Sequence, residues 1–261
     1  MIEINQKEVI NMLTEERYAT ILRILEEKKA VTVLELTKAL GASESTVRRD
    51  LSALHKSGRL YKVYGGATAI DNSYTSAEED MKTKRELFAE EKTAIARKAA
   101  SLVKRKDFVY IDAGSSTLRL IDFLEEKGAI YVTNGISHAA RLTARGFRVF
   151  ILGGELKAVT EAVIGTEALA NLKNYNFTKG FFGTNGISTK SGFSTPDSDE
   201  AMIKGEALTR CKHAYVLADH SKFDRITPIS FAMLSAASII TGRLQERDRK
   251  YMDYTTIIEG E

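Results

Sequence analysis

The sequence predicts an α/β protein in two parts, a small helical domain at the amino terminus and a larger domain built on a mainly parallel sheet. Two observations lead to this prediction. After residue 85, apolar segments of strand length alternate with helical segments, which is the pattern of a parallel sheet wrapped by helices. The first 70 residues instead contain short helical periods separated by capping signals. We expect domains at 1–70 and 85–261, joined by a polar linker at 71–84.

Composition excludes several classes of protein. The chain has 261 residues, 43% of them hydrophobic and 28% charged, which is typical of a compact folded protein. Its single cysteine, Cys211, cannot form an intramolecular disulfide, and its 4 histidines have no metal-ligand spacing. Neither a secretory signal nor an apolar run of membrane-spanning length is evident. We therefore expect a cytoplasmic protein with no metal, no cofactor and no membrane partner.

Charge is distributed unevenly along the chain. Residues 17–67 carry 10 basic and 5 acidic side chains, a net charge of +5, within a chain whose net charge is +3. The remainder is therefore slightly acidic. This asymmetry indicates that the first quarter of the chain meets a polyanion.

The first two helices are predicted from periodicity and capping. Apolar residues at helical spacing predict a helix over residues 15–28. Thr32 and Glu35 form a capping box that opens a second helix, and this helix stops at Gly41.

A third helix, over residues 44–57, is capped by Ser43 and closed by Gly58. The four-residue connection before it has the spacing of a DNA-binding helix-turn-helix. With Val47 in the core, the outward face collects hydroxyl and guanidinium groups, which suit base edges and phosphates in the major groove. The predicted DNA contacts from this helix and its cap are Ser43, Ser45, Thr46, Arg48, Arg49, Ser52 and Lys56.

The segment after the third helix is predicted to form a wing. Residues 60–67 alternate like a strand and include a Gly-Gly turn. Arg59 and Lys62 could hold DNA phosphates from this wing, although exposed basic residues on a hairpin are often merely solvated. Asp50 is expected to face the core, where it orients an arginine or the domain interior.

Three motifs support a family resemblance in this first quarter. They are Ser45-x-Val47-Arg48-Arg49-Asp50-Leu51-x-x-Leu54, Gly58-x-Leu60 and Gly65-Gly66-Ala67. Together they resemble the winged helix of the DeoR family of bacterial transcriptional repressors, except that Tyr64 stands where the family usually has His. The resemblance implies an operator-binding repressor. Because symmetric operators require paired DNA-reading units, we expect a homo-oligomer, a dimer or a tetramer.

The larger domain has six predicted strands, with the sequences FVYI, AIYV, FRVFIL, KGFF, AYVLA and SIIT. Ligands of parallel sheets bind at the carboxyl ends of the strands. Five of these ends are small, polar or glycine-rich: Asp112-Ala113-Gly114-Ser115-Ser116-Thr117, Thr133-Asn134-Gly135, Gly153-Gly154-Glu155, Gly183-Thr184-Asn185-Gly186 and Asp219-His220-Ser221-Lys222. Packing does not require such residues, so we predict a binding cleft for a small polyhydroxylated anion.

Roles within this cleft follow from residue chemistry. The turn 114–117 precedes a helix and can offer backbone N–H groups and hydroxyls to a phosphate. Lys204 and Lys222 are candidate phosphate partners. Candidate partners for sugar hydroxyls are Asp112, Asn134, Asn185, Glu200 and Asp219. For Glu200 and Lys204, an exposed i,i+4 ion pair is an equal alternative.

The larger domain resembles the sensor half of the same family, which is similar in fold to ribose-5-phosphate isomerase, glucosamine-6-phosphate deaminase and coenzyme A transferases. Four sequence motifs are most similar to those of the fructose-operon repressors: GGELKxxTEAVIG, FFGTNG, GFSTPDxxEA and LADHSKF. This implies a phosphorylated sugar effector, fructose 1-phosphate. The effector-site positions that carry over are Gly114, Ser115, Ser116, Thr117, Thr133, Asn134, Gly153, Gly154, Asn185, Gly186, Glu200, Lys204, Asp219 and Lys222.

A sugar-phosphate isomerase or deaminase fused to a DNA-binding domain is the alternative function, because the strand ends include possible acids and bases. We assign no catalytic residue, since the DNA-reading domain gives the chain a complete function without chemistry. His220 is expected to orient a neighbouring group, and Cys211 to be a structural thiol.

Overall fold

A computed structural model describes residues 14–28, 30–57, 59–63, 65–68 and 87–260. The chain divides into two compact units, Met1–Asp71 and Asn72–Glu261. Several predictions concern residues outside these ranges: the linker at 71–84, Gly58 as the end of the third helix, and Tyr64. The amino-terminal segment, in which no secretory signal is predicted, also lies outside them.

The first unit contains three helices and a three-stranded antiparallel sheet. The helices are α1 (Thr14–Lys28), α2 (Val33–Leu40) and α3 (Glu44–Lys56), and the strands are β1 (Ala30–Thr32), β2 (Tyr61–Val63) and β3 (Gly66–Thr68). The strand order is β1-β3-β2, so the predicted wing is a β2–β3 hairpin completed by β1.

Local signals set the ends of these helices. The Thr32 hydroxyl accepts from the Glu35 N–H, and the Glu35 carboxylate accepts from the Thr32 N–H, so the predicted capping box is confirmed. Gly41 has φ 59°, a left-handed conformation that glycine adopts without strain, and it ends α2 as predicted. Ser43 caps α3, which is also as predicted.

The second unit is organised around a seven-stranded parallel sheet. Its strands are β4 (Phe108–Ile111), β5 (Ile130–Thr133), β6 (Arg148–Ile151), β9 (Phe177–Gly183), β12 (Cys211–Leu217), β14 (Ser238–Thr241) and β15 (Ile257–Glu259). They lie in the order β15-β14-β12-β9-β4-β5-β6. All six neighbouring pairs are parallel, so the six predicted strands and their predicted direction are confirmed. The sequence did not predict β15.

Helices cover both faces of this sheet. Successive strand residues point to opposite sides, so each face carries apolar side chains that pack against helices. The helices are α4 (Ala89–Ser101), α5 (Ser115–Ile121), α6 (Ile136–Ala144), α7 (Thr166–Leu172) and α8 (Ser198–Thr209). On one face Tyr110 and Phe182 pack in a core with residues of α7 and α8. On the other, Val109 and Phe181 pack with residues of α4, α5 and α6. Among all the residues that the structure describes, no helix is long and apolar enough to cross a membrane.

Two small antiparallel sheets, neither of them predicted, sit beside the large one. The first pairs β7 (Glu155–Lys157) with β8 (Ala162–Ile164), and the second has the order β10-β11-β13, formed by Gly186–Ser188, Gly192–Thr195 and Ile229–Ala232. Short 3-10 helices follow at His220–Lys222, Leu234–Ala236 and Glu246–Asp253.

Candidate functional site

The outward face of α3 carries the predicted DNA contacts. The Ser43 hydroxyl accepts from the Thr46 N–H at 3.2 Å, so both residues shape the helix start. Arg48 is ion-paired with Glu44 at 2.7 Å, and both side chains are more than half exposed. Arg49 is exposed and has no ion-pair or hydrogen-bond partner among the described residues. Arg49 is therefore the guanidinium of this face that is free to contact DNA. Ser45 and Lys56 are exposed as well.

The wing is attached to α3 through side chains. The Lys62 ammonium donates to the Ser52 hydroxyl at 2.7 Å, and that hydroxyl donates to the Arg48 carbonyl at 2.7 Å. The His55 ring nitrogen Nδ1 lies 3.2 Å from the Leu60 carbonyl oxygen. Hence β2 and α3 present their polar groups as one surface. Sequence reasoning missed His55, because nothing local distinguishes it from a solvated histidine.

Asp50 faces the core of the first unit and is only 2% exposed. It accepts two hydrogen bonds from Arg17 of α1, to Oδ2 at 2.7 Å and to Oδ1 at 3.2 Å. The expectation that Asp50 orients an arginine is therefore confirmed, and this pair fixes α3 against α1.

In the second unit, the five polar strand ends predicted as a site belong to β12, β9, β4, β5 and β6, which are consecutive neighbours in the sheet. Because these strands are parallel, their carboxyl ends lie along one edge. We call this row of strand ends the polar edge.

Asp112 lies near the centre of the polar edge, directly after β4. Its carboxylate is 1% exposed, is ion-paired with Lys204 of α8, and accepts from the Gly183 N–H at 3.0 Å. Burial raises the pKa of the Asp112 carboxyl above its ordinary value, against the opposing effect of the Lys204 charge. The two residues thus neutralise each other beneath the edge.

The neighbouring strand ends are tied together by Asn134 and Thr117. The Asn134 amide oxygen accepts from the Ala113 N–H at 2.8 Å, and its amide nitrogen donates to the Val163 carbonyl at 3.3 Å. The Thr117 hydroxyl is fully buried and donates to the Asp112 carbonyl at 2.6 Å. Thr133 is also fully buried, and its hydroxyl accepts from the Gly135 N–H at 3.0 Å.

The turn before α5 is braced by a histidine that sequence reasoning missed. His138 of α6 is 1% exposed, and its Nε2 lies 3.1 Å from the Thr117 hydroxyl and 3.4 Å from the Gly114 nitrogen. Ser115 is half-buried and Ser116 is 8% exposed.

The outer strand ends carry the remaining predicted positions. The Gly153 N–H donates to Asn171 at 3.0 Å. Gly154 has φ 143°, and a Cβ there would lie 2.5 Å from the Ile164 carbonyl oxygen. On the other side, the Asn185 N–H donates to the Ser194 carbonyl at 3.0 Å.

Glu200 and Lys204 are buried, at 7% and 4% exposure, so an exposed i,i+4 pair is wrong for both. The Glu200 carboxylate instead accepts from the Thr160 hydroxyl at 2.6 Å and from Lys157 at 3.2 Å. Burial alone would raise the pKa of Glu200, but the Lys204 charge, the Thr160 hydrogen bond and Lys157 together lower it. Glu200 therefore remains a carboxylate inside the protein.

Asp219, after β12, is fully buried, and its carboxylate accepts from the Ser221 N–H at 3.1 Å. Burial would raise its pKa, but the charges of Lys222 and Lys92 outweigh burial and lower it. The Lys92 ammonium lies 3.9 Å from Asp219 Oδ2. Sequence reasoning missed Lys92, because its position on α4 resembles an ordinary solvated lysine.

His220 contacts a second residue of α4. Its Nδ1 lies 2.6 Å from the Glu91 carboxylate, and its N–H donates to the same carboxylate at 2.8 Å. The hydrogen bond that the His220 ring donates to the Glu91 carboxylate raises the pKa of His220 above its ordinary value. His220 thus orients the loop after β12. Cys211 is largely buried and donates to the Ala207 carbonyl at 3.1 Å, and burial raises its pKa to about 12.

Within the described residues, no group of three or more His, Cys, Asp and Glu side chains could hold a metal ion. The geometry as a whole combines a winged helix bearing free cationic groups with an α/β domain whose polar strand ends share one edge. This is the layout of a DNA-binding regulator that carries a ligand-sensing domain.

Comparison with known families agrees with this class. Residues 17–73 match the DeoR-like helix-turn-helix domain, and residues 87–243 match the DeoR C terminal sensor domain. The chain belongs to the DeoR family of transcriptional repressors.

Two relatives illustrate the family. A Bacillus subtilis (strain 168) protein called "Uncharacterized HTH-type transcriptional regulator FruR" is 44% identical over 90% of this chain and 93% of its own length. The lactose phosphotransferase system repressor of Staphylococcus aureus (strain N315) is 30% identical over 90% of this chain and 94% of its own. Their names describe transcriptional regulators and no enzyme.

Among solved structures, ribose 5-phosphate isomerase A from Methanocaldococcus jannaschii matches 51% of this chain and 53% of its own, with 14% identity and a TM-score of 0.37. A likeness of this size carries no conclusion about function.

Proposed function

We propose that this protein represses a sugar-utilisation operon, that of fructose, and that a phosphorylated sugar, fructose 1-phosphate, weakens its binding to operator DNA. The observation that supports this most is the polar edge, where five strand ends bring hydroxyl, amide, carboxylate and ammonium groups to one side of a single sheet. A sugar phosphate needs that mixture of groups.

The basic side chains of α3 and of the wing have different roles in the proposed binding of DNA. Arg49 reads a base edge in the major groove, because it is exposed and unpartnered among the described residues. Arg59 and Lys62 hold phosphates from the wing side, since both are exposed there. Arg48, paired with Glu44, contributes to the orientation of the helix start.

The phosphate group of the proposed effector binds near Lys222 and near the turn that contains Ser115 and Ser116. Lys222 is half-buried and has no ion-pair partner within hydrogen-bond distance among the described residues. Asp112 and Lys204 already neutralise each other, so they support the floor of the site. Asn185 and Asp219 lie on neighbouring strand ends, where they face the hydroxyls of the sugar in this proposal.

Fructose is proposed from the likeness to the fructose-operon repressors described above. The name of the lactose phosphotransferase system repressor supports the broader proposal that the family controls sugar operons. Operator binding in turn implies action in the cytoplasm.

Symmetric operators require two DNA-reading units, so the proposed active form is a dimer or a tetramer. Fructose 1-phosphate acts by favouring an arrangement in which the two recognition helices no longer match the half-site spacing.

The test is a titration of operator binding, with DNA from upstream of the protein's own operon, against a panel of sugar phosphates at fixed salt. We expect release by fructose 1-phosphate and not by its 6-phosphate isomer. Release by another sugar phosphate alone would contradict the fructose assignment. Binding that no sugar phosphate affects would contradict the sensor role, and consumption of a sugar phosphate during the assay would favour the isomerase or deaminase alternative.

A further inference from the structure

The loop that follows Lys222 contains a second cation, and this cation is buried. Arg225 is 8% exposed, and its Nε is buried without a hydrogen-bond partner. No carboxylate in the described part of the chain forms an ion pair with it. A guanidinium cannot lose its charge at ordinary pH, and a buried charge without a counter-charge is costly. Arg225 therefore has the properties of a group that awaits an anion.

The acidic residue next to Arg225 is already occupied. Asp224 is ion-paired with Lys250 at 2.6 Å, and the Tyr251 hydroxyl lies 2.8 Å from its carboxylate. Asp224 has φ 56°, and its N–H donates to the Tyr251 hydroxyl at 3.0 Å. These contacts fix the turn immediately before Arg225, so the backbone there is positioned without a hydrogen bond or ion pair from the Arg225 side chain.

A second unpartnered polar group lies two residues further along. Thr227 is 2% exposed, and its hydroxyl is buried without a hydrogen-bond partner. Its N–H donates to the Ser194 hydroxyl at 3.1 Å. A buried hydroxyl normally has a hydrogen-bond partner, because leaving it without one costs about 1–3 kcal/mol. Arg225 and Thr227 thus share one loop and the same lack of partners.

This loop lies against the polar edge. A Cβ on Gly186 would be 2.5 Å from the Arg225 carbonyl oxygen, so the backbone of the loop touches the strand end that contains Asn185. Ser194, which holds Thr227, pairs with Gly186 in the β10–β11 ladder. The loop also continues directly from the segment 219–222, the strand end that follows β12. It is therefore joined to two of the five strand ends.

We infer that Arg225 and Thr227 bind phosphate oxygens of the effector: Arg225 donates charged hydrogen bonds and Thr227 donates its hydroxyl. The identity of the ligand rests on the proposed function, whereas the anion site itself rests on these two buried groups. Arg225 offers the planar donor pair that binds phosphate through two oxygens.

The test measures thermal unfolding and binding of the full-length protein with inorganic phosphate, with fructose 1-phosphate, and with chloride at equal ionic strength. Three variants are compared with the wild type: Arg225→Met, which removes the charge at similar length, Arg225→Lys, which keeps it, and Thr227→Val. Arg105→Met is the matched control, because Arg105 is exposed and precedes β4, at the opposite end of that strand from the polar edge.

We expect Arg225→Met to bind both phosphates about tenfold to a hundredfold more weakly. In chloride it should unfold at the same temperature as the wild type or a higher one, because an uncompensated charge is removed. A merely structural arginine would give a lower unfolding temperature. Arg225→Lys should bind with intermediate affinity, and Arg105→Met like the wild type.

Thr227→Val provides a test that does not depend on the folding of Arg225→Met. It should weaken phosphate binding several-fold without lowering the unfolding temperature in chloride. Wild-type affinity for phosphate in Arg225→Met or in Thr227→Val would overturn the inference while leaving the sugar-phosphate function standing. If inorganic phosphate stabilises the wild type and no sugar phosphate binds more tightly, the anion site stands and the sugar-phosphate function fails. If neither phosphate stabilises the wild type, both fail.

Discussion

Lys204 and Asp112 form a buried ion pair between α8 and the end of β4, although 92 positions separate them in sequence. The carboxylate has a further donor in the Gly183 N–H. This pair joins a helix to the middle of the parallel sheet at the point where the polar edge is formed.

Breaking this pair on one side should be more damaging than removing both charges. We expect Lys204→Met to lower the free energy of unfolding by about 3–5 kcal/mol, since it leaves Asp112 buried without its cation. Adding Asp112→Asn should recover part of the loss. Urea unfolding measures both, and Lys173→Met, at an exposed lysine after α7, is the control. Equal losses in the single and double variants would show that the pair is not the cause.

Replacing Arg49 by Ala should lower operator affinity by about 1–3 kcal/mol and leave binding to random DNA nearly unchanged, because a bidentate base contact discriminates between sequences. Fluorescence anisotropy with both DNAs at one salt concentration gives the two affinities. A parallel loss on both DNAs would assign Arg49 to phosphate contact instead.

Lys62→Ala should weaken binding to every sequence alike and reduce the slope of log affinity against log salt by about 1, because it removes one phosphate contact. Ser52→Ala is the informative control, since it removes the hydrogen bond that holds Lys62 but keeps its charge. A sequence-dependent loss in Lys62→Ala would contradict the phosphate role.

Lys222→Ala and Ser116→Ala should bind operator normally and respond weakly to fructose 1-phosphate, because they alter the proposed effector site and not the winged helix. The concentration that releases half of the DNA measures the response. Lys212→Ala, at an exposed lysine near the start of β12, controls for the loss of a positive charge in the same unit. Normal release in both test variants would mean that the phosphate binds elsewhere.

His220 should make stability depend on pH. Its contact with Glu91 raises the folded-state pKa of His220 above 6.5, so protonation favours the native state. The stabilisation is complete below the unfolded-state pKa and is lost as pH rises through the folded-state pKa. The stability difference between wild type and His220→Asn should therefore shrink as the pH rises above about 6.5, the usual pKa of a histidine. His213→Asn, at an exposed histidine on β12, is the control, and a difference that stays constant with pH would contradict the prediction.

Local signals were sufficient to predict much of this structure. The capping box at Thr32, the left-handed Gly41 and the Ser43 cap each act within one turn of a helix, so they are legible in the sequence. The small sheets were missed because they contain strands such as β7 (Glu155–Lys157) and β10 (Gly186–Ser188), which are only three residues long and lack the continuous apolar run of the strands in the large sheet.

Partners of the site residues were not predictable, because most are distant in sequence. Glu200 meets Thr160 and Lys157, which lie 40 and 43 positions away, and these contacts replace the local i,i+4 pair that the sequence suggested. The unpartnered state of Arg225 is likewise visible only once burial is known. Sequence indicated the chemistry of the polar edge, and only the fold shows which groups neutralise each other.

The order of elements along the chain also sets the order in which they leave a ribosome. The first unit, with its own apolar core, is complete at β3, which ends at Thr68, whereas the last polar strand end finishes at Lys222. At about 5–20 residues per second, translation of the intervening stretch takes roughly 8–30 s. A nascent chain therefore completes its winged helix before the polar edge has been synthesised. During that interval the proposed effector has no site on the new chain, so it cannot yet control DNA binding.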